Sequence, residues 1–120
     1  MRSVIETPDF IADAKMAGIT EEERSRIVTK LASDPQAGDV IIGTGGAHKV
    51  RIGGRGKGKS GGYRVITFYA GEDVPVFLLN VFAKGDRVDL SQAERNALRK
   101  ELAGLAEDYR RGVRRNVDRR

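Results

Sequence analysis

Three stretches of the chain carry apolar residues at the three- and four-residue spacing of an amphipathic helix. The first covers residues 8–18, the second 20–34 and the third 91–108. Each stretch begins with a hydroxyl side chain that can cap a helix N-terminus, namely Thr7, Thr20 and Ser91. The pattern therefore predicts two helices near the N-terminus and one near the C-terminus.

Four other stretches have the residue pattern of β-strands. They are a short segment starting at 4–5, an alternating segment at 48–52, an aromatic and β-branched segment at 63–70, and an almost continuous apolar run at 76–82. Because the last three follow one another through turn-like segments, we expect them to pair as hairpins. The order β-α-α-β-β-β-α predicts an α+β fold with a small, mainly antiparallel four-stranded sheet, two N-terminal helices and one C-terminal helix.

A chain of 120 residues supports one compact domain. We predict that domain over residues 1–108, followed by a basic tail without fixed structure at 109–120, where six Arg accompany one Asp and few apolar residues. With no cysteine and one histidine, His48, the sequence predicts neither disulfides nor a metal or cofactor site. No apolar run approaches the roughly 20 residues of a membrane span, so we expect a cytoplasmic protein without a membrane partner.

Residues 53–60 match the phosphate-binding pattern G-x-x-x-x-G-K-[ST]. That motif requires a strand before the loop and a helix directly after it, so that the helix N-terminus faces the phosphates. Residues 63–70 have strand character instead. We therefore reject a nucleotide site and interpret the segment as a cationic loop that joins two strands.

Positive charge is concentrated between Asp39 and Glu72, where the chain has no acidic residue. The cations of this window are Lys49, Arg51, Arg55, Lys57, Lys59 and Arg64. Lys49 and Arg51 lie two residues apart and so share a strand face, and Arg64 lies on the strand predicted to pair with theirs. Like charges on neighbouring strands repel unless an anion lies between them. The cluster predicts a site for RNA or DNA, with a solvated loop of no function as the alternative.

These residues resemble the RelE superfamily of type II toxins, and within it the HigB-like toxins. The resemblance rests on H-K-V-R-I at 48–52, K-G-K-S-G-G-Y-R-V-I at 57–66, F-A-K at 82–84 and D-L-S-x-x-E at 89–94, and it covers about residues 3–107. It implies a RelE-like fold and a metal-free endoribonuclease that cleaves messenger RNA on the ribosome and so inhibits translation. It also implies a cognate antitoxin, expected to be a helix-turn-helix protein, and contact with operator DNA only through the antitoxin complex.

RNA supplies its own nucleophile, the 2′-hydroxyl, so the enzyme must take up its proton, stabilise the transition state and protonate the leaving oxygen. Arg64 is the first candidate for transition-state stabilisation, with Arg51 beside it, because guanidinium groups bind phosphate in a bidentate manner. Lys49 and Lys59 are candidates for the base or the acid, and the sequence does not separate their roles. His48 is interpreted as structural, although an imidazole at this place can also serve as base or acid.

The segment after the last strand adds two cations. Lys84 is a further catalytic candidate because it follows the apolar strand directly. Several RelE-like proteins have an Arg and a Tyr in this region, where the chain has Gly85 and Ser91. This difference disfavours a mechanism that uses a tyrosine here and favours Lys84 and Arg87 as site residues. Contacts to the ribosome or the messenger backbone are expected from Arg55, Lys57 and Arg87.

Two other functions compete with cleavage. A ParE-like toxin of the same superfamily acts by binding DNA gyrase without catalysis, and such a protein does not need converging cations on its sheet. An RNA-binding module usually places aromatic rings among its basic residues. Here Tyr63 and Tyr69 are predicted on the sheet face opposite Arg64, which disfavours that alternative.

Overall fold

The computed structural model describes residues 3–53, 62–83 and 90–118, and within these ranges the chain forms five strands and three helices. The strands are β1 (Val4–Glu6), β2 (Asp39–Val40), β3 (Ala47–Ile52), β4 (Tyr63–Phe68) and β5 (Val76–Ala83). The helices are α1 (Pro8–Met16), α2 (Glu21–Ser33) and α3 (Gln92–Asp118). The predicted α+β class is confirmed.

The strands form one sheet in the order β1-β5-β4-β3-β2, in which β1 runs parallel to β5 and all other pairs are antiparallel. The predicted succession of three antiparallel strands is confirmed as β3, β4 and β5. The predicted number of four strands is wrong, because Asp39 and Val40 pair with Lys49 and His48. A two-residue strand is too short to show the alternation by which strands are recognised in a sequence.

The sheet separates two hydrophobic cores, because alternate residues of each strand point to opposite faces. The α1/α2 face carries a core that includes Phe10, Ala14, Ile27, Leu31, Val50, Val65 and Val81. The α3 face carries a core that includes Ile66, Phe68, Phe82, Leu90, Leu98 and Leu102. Coverage of both faces explains why β5 reads as a nearly continuous apolar run.

Side chains cap the helices where the sequence predicts them. Thr7 Oγ1 accepts a backbone N–H of α1 at 3.3 Å. Thr20 Oγ1 accepts the N–H of Glu23 at 3.1 Å, and Glu23 Oε1 accepts the N–H of Thr20 at 3.1 Å. The same reciprocal box joins Ser91 and Glu94, with distances of 2.9 and 3.2 Å. Each box satisfies two of the N–H groups that a helix start leaves without a partner.

The C-terminal helix is longer than the sequence predicts. We expected α3 to end near Asp108 and residues 109–120 to lack fixed structure, whereas the described helix continues to Asp118. The tail prediction is therefore wrong for residues 109–118. The assignment of residues 1–108 as a single domain stays a prediction.

Two contacts outside the helix hold the first residues of this extension. The ring of Tyr109 packs edge-on against Phe77 at the start of β5, with ring centroids 6.3 Å apart. Arg110 binds Asp73, in the turn before β5, through both oxygens of the carboxylate, and the Nη2 to Oδ1 distance is 2.8 Å. These partners lie more than thirty residues away in sequence, so the local pattern around Tyr109 does not indicate them.

A bulge in β5 allows α1 to bind the second half of that strand. The register between β4 and β5 shifts next to Ile66, which leaves Leu79 as an extra residue in β5. Asp13 Oδ2 of α1 accepts the side-chain N–H of Asn80 at 3.0 Å and the backbone N–H of Val81 at 3.3 Å. One carboxylate thus satisfies two donors at the bulge and ties the helix to the sheet.

Replacement of Asp13 by Ala leaves two part-buried donors without their acceptor. We expect Asp13→Ala to lower the free energy of unfolding by about 1–3 kcal/mol, measured by urea denaturation. Asp9→Ala is the control, because Asp9 lies exposed in the first turn of the same helix and its interaction with the helix dipole contributes only about 0.5 kcal/mol. Equal losses in the two variants would contradict the role assigned to Asp13.

The hydrogen bonds from Arg110 lower the pKa of Asp73 below its ordinary value of 3.8, because they favour the charged carboxylate. In Arg110→Ala we expect the pKa of Asp73, read from its carboxyl NMR shift, to return toward 3.8. Since the folded-state pKa is lowered, the pair stabilises the protein above pH 3.8 and loses this effect as the pH falls through the pKa of folded Asp73. An unchanged Asp73 pKa in the variant would show that the contact does not persist in solution.

Candidate nucleic-acid interface

Two arginines face each other across the β3–β4 hairpin. Arg51 of β3 and Arg64 of β4 are direct cross-strand partners, and Lys49 lies opposite Ile66 in the same ladder. Side chains that are opposite one another in an antiparallel pair share a face, so Lys49, Arg51 and Arg64 all lie on the α3 face. The structure thus brings together the three cations that strand alternation grouped in the sequence.

Arg64 is the most deeply placed of these cations. Only 7% of its surface is exposed, and its Nε is buried without an acceptor among the described residues. Phe82 of β5 is its other cross-strand partner and is buried as well. Removal of a guanidinium from water is unfavourable unless an anion or several acceptors replace the water. The fold therefore holds Arg64 in a position that an incoming phosphate group would stabilise.

Arg51 differs from Arg64 in that its side chain is exposed. The two charges lie in direct opposition, an arrangement that destabilises a sheet when no anion is present. One buried and one exposed guanidinium at directly opposed positions would contact a phosphate group from two sides. Bidentate binding of phosphate oxygens is the chemistry for which such a pair is suited.

Lys49 has a neighbour that the sequence analysis did not associate with it. Asp39 of β2 is its direct cross-strand partner. The backbone of Gly38 approaches the carbonyl of Lys49 so closely that a Cβ atom would lie 2.2 Å from that oxygen, and its φ of +87° also requires glycine. Hence an acidic side chain stands at the edge of the cationic cluster, although no acid lies between residues 40 and 71 of the sequence.

The remaining predicted site residues lie outside the described residues. They are Arg55, Lys57, Lys59, Lys84 and Arg87. The chain leaves and re-enters the described sheet at one end, because Ile52 pairs with Tyr63 and Tyr63 pairs with Ala83. Arg51 and Arg64 form the next cross-strand pair from that end. The next described element after residues 53–60 is a strand, β4, and not a helix, which confirms the reason for rejecting a nucleotide-binding loop.

The opposite face of the hairpin does not contribute to this cluster. His48 pairs with Thr67, and both alternate with the cations, so they belong to the α1/α2 face. Tyr63 and Tyr69 pack against the core on that same face, as the sequence predicts. Burial, together with the neighbouring Glu23, raises the pKa of Tyr63. The one histidine and these two tyrosines are thus separated from Arg64 by the sheet.

A groove on the described surface lies away from these cations. The groove, of about 360 Å³, is lined by Glu6, Glu21, Arg24, Ser25, Val28 and Thr29. Arg24 Nε donates to Glu6 Oε2 at 2.8 Å, and this hydrogen bond raises the pKa of Arg24. Two glutamates and one arginine give the groove a net negative charge, so we assign the binding of a polyanion to the sheet cations rather than to the groove.

The residues described here contain no group of three or more His, Asp or Glu side chains that could hold a metal ion. Over the described ranges, no helix combines the length and the apolar composition that crossing a bilayer requires.

Comparison with known proteins relates the chain to a toxin family and to a solved toxin structure. Residues 2–115 match the family described as the RelE toxin of the RelE/RelB toxin–antitoxin system. The fold is similar to that of E. coli toxin RelE in the free state, in a mutant with two arginines changed to alanine. That structure is 15% identical in sequence, with a TM-score of 0.51 over 71% of this chain and 85% of the other. At this identity the structural match concerns the fold alone.

The burial of Arg64 predicts that the side chain lowers the stability of the protein in the absence of RNA. Arg64→Met keeps the unbranched stem and removes the buried charge, so we expect it to raise the free energy of unfolding by about 1 kcal/mol or more. Arg51→Met, at the exposed partner, should change it by less than about 0.5 kcal/mol. Urea denaturation in phosphate-free buffer measures both. A loss of stability in Arg64→Met would contradict the unfavourable burial.

Proposed function

Because the chain belongs to the RelE toxin family, we propose that it cleaves messenger RNA on the ribosome as an endoribonuclease. As a family member it is a toxin of a type II toxin–antitoxin system, and a cognate antitoxin is its partner. The observation that supports cleavage most is the opposed pair of Arg51 and Arg64, with the Nε of Arg64 buried and without an acceptor among the described residues. A protein that only bound another protein would not need this pair.

In the proposed reaction the 2′-hydroxyl of the RNA attacks the adjacent phosphorus. A base takes the proton of the 2′-hydroxyl, the P–O5′ bond breaks, and an acid protonates the leaving 5′-oxygen. The products are a 2′,3′-cyclic phosphate and a 5′-hydroxyl. Arg64 holds a non-bridging oxygen from the buried side and Arg51 holds one from the solvent side, so both bind most tightly when negative charge accumulates on the phosphorane.

The lysines are proposed to carry the proton transfers. Lys49 lies on the same face as the arginines and is half-buried. Lys59 and Lys84 are the other candidates, and the three are not assigned separately to base and acid. Arg55, Lys57 and Arg87 are proposed to bind the phosphates of the ribosome or of the messenger backbone.

Membership of the RelE toxin family also supports a proposal for the cellular role and the partners of the protein. The protein is taken to be a HigB-like toxin that acts in the cytoplasm and arrests growth by inhibiting translation. Its antitoxin is proposed to be a helix-turn-helix protein, and operator DNA is proposed to be bound only by the toxin–antitoxin complex.

Arg64→Ala tests the proposal in cells that carry the antitoxin to permit expression. We expect induction of the wild type to arrest growth and to produce new messenger 5′ ends that carry hydroxyl groups. Arg64→Ala should reduce the rate at which these 5′ ends appear by about 10²–10³-fold. Loss of one hydrogen-bond donor to a developing oxyanion reduces the rates of other enzymes by a similar factor. Arg26→Ala, an exposed cation of α2, is the control and should leave cleavage unchanged.

The outcomes separate the candidate functions. Undiminished cleavage by Arg64→Ala would remove Arg64 from the proposed role. Growth arrest by the wild type without new RNA ends would favour the gyrase-binding alternative.

A further inference from the structure

The sheet has a free edge at β1. This strand is the last in the order β1-β5-β4-β3-β2, and no described strand lies beyond it. At its two ends, Ser3 O accepts a backbone N–H of β5 at 2.9 Å, and the N–H of Thr7 donates to a carbonyl of β5 at 3.2 Å. Successive residues of a strand direct their backbone groups to alternate sides. The N–H and C=O groups of Val4 and Glu6 therefore point away from β5, toward the free edge.

A negatively charged groove lies on one face of this strand. The groove, of about 360 Å³, is lined by Glu6 of β1 and by the α2 residues Glu21, Arg24, Ser25, Val28 and Thr29. Glu6 is on the α1/α2 face, because its partner Leu78 belongs to that core. Arg24 donates to Glu6 at 2.8 Å and also lies in the field of Glu21, so two carboxylates share one guanidinium. The groove can thus accept a further cationic side chain.

The other face of β1 carries an exposed apolar side chain. Ile5 pairs with Phe77, which is buried in the α3-face core, yet 38% of the surface of Ile5 is exposed. A residue opposite Ile5 on an added strand would lie on the same face of the sheet. An apolar side chain at that place would cover Ile5 and continue the core beyond Phe77.

We propose that β1 is the docking edge for the cognate antitoxin, which adds an extended segment to the sheet there. Hydrogen bonds to the backbone of Val4 and Glu6 supply affinity, and the side chains of the added strand alternate between the two faces. The residue beside Glu6 is Lys or Arg, whose charge complements the groove, and the adjacent residue is apolar and packs on Ile5. This inference goes beyond the proposed function and does not depend on RNA cleavage.

The competing explanation is an edge without a partner. Short strands and charged side chains commonly protect the edge of a sheet from pairing, and β1 has three residues, one of which is Glu6. The two explanations differ in the hydrogen exchange of the outward-pointing amides, because only an added strand supplies acceptors for them.

Hydrogen exchange, measured by NMR on ¹⁵N-labelled toxin alone and in complex with its antitoxin, is the first test. We expect the N–H groups of Val4 and Glu6 to exchange about tenfold or more slowly in the complex, a larger effect than at Ile5, whose N–H already faces β5. Unchanged exchange at Val4 and Glu6 would overturn the inference. Protection of both in the free toxin that rises with toxin concentration would assign the edge to a second copy of the chain and would also overturn it.

The dissociation constant of the toxin–antitoxin complex tests the apolar face. Ile5→Thr keeps the branched side chain and replaces apolar surface by a hydroxyl, so we expect binding to weaken about fivefold. Ile42→Thr is the matched control, because Ile42 is 82% exposed just after β2, at the opposite edge, and should stay within about twofold of the wild type. If Ile42→Thr weakens binding and Ile5→Thr does not, the antitoxin docks at the β2 edge and the inference fails.

The same measurement at two salt concentrations tests the groove. Glu21→Lys reverses the net charge of the groove, so we expect binding to weaken about fivefold at low salt and less at high salt. Glu101→Lys is the control, because it changes the total charge equally at an exposed position of α3 and should leave binding unchanged. Equal effects of the two variants would contradict a cation in the groove. Thermal unfolding identifies any variant that fails to fold, and in that case hydrogen exchange in the wild type decides the question.

Discussion

The opposition of Arg51 and Arg64 across one hairpin is the constraint on which the proposed site depends. The backbone ladder of β3 and β4 sets this pairing, so the two side chains cannot move apart without a change of register. Mutual repulsion and the burial of Arg64 both oppose folding, and the two cores that cover the sheet offset this cost. A phosphate group bound between the two guanidiniums, as proposed, would relieve both penalties at once and so raise the stability of the fold.

The elements around the site are fixed by contacts that lie outside the site itself. Val65 and Ile66, which follow Arg64, are each fully buried in a different core, so the strand cannot rotate. Asp13 fixes the bulge of β5, and the contacts of Tyr109 and Arg110 hold α3 at the far end of that strand. Rigid support is what electrostatic stabilisation of a transition state requires, because donors that are already oriented need no reorganisation.

Much of this architecture is predictable from the sequence, and the exceptions have physical causes. Capping residues and apolar periodicity locate the three helix starts, and alternation places Lys49 and Arg51 on one face. The strand β2 is missed because it is two residues long and depends on the turn that brings Asp39 opposite Lys49. The depth of Arg64 is missed because its burial depends on long-range packing, including that of its cross-strand partner Phe82, which the local pattern does not indicate. The roles of Lys57, Lys59, Lys84, Arg55 and Arg87 stay predictions, since these residues lie outside the described ranges.

A double-mutant cycle tests most directly whether Arg51 and Arg64 bind one phosphate. The measurement is the single-turnover rate of messenger cleavage on programmed ribosomes for the wild type, Arg51→Ala, Arg64→Ala and the double variant. If the two guanidiniums bind the same phosphate, their effects are not additive, and the double variant should lose far less than the product of the two single losses. Losses that multiply, or an Arg64→Ala rate equal to that of the wild type, would contradict a shared phosphate site.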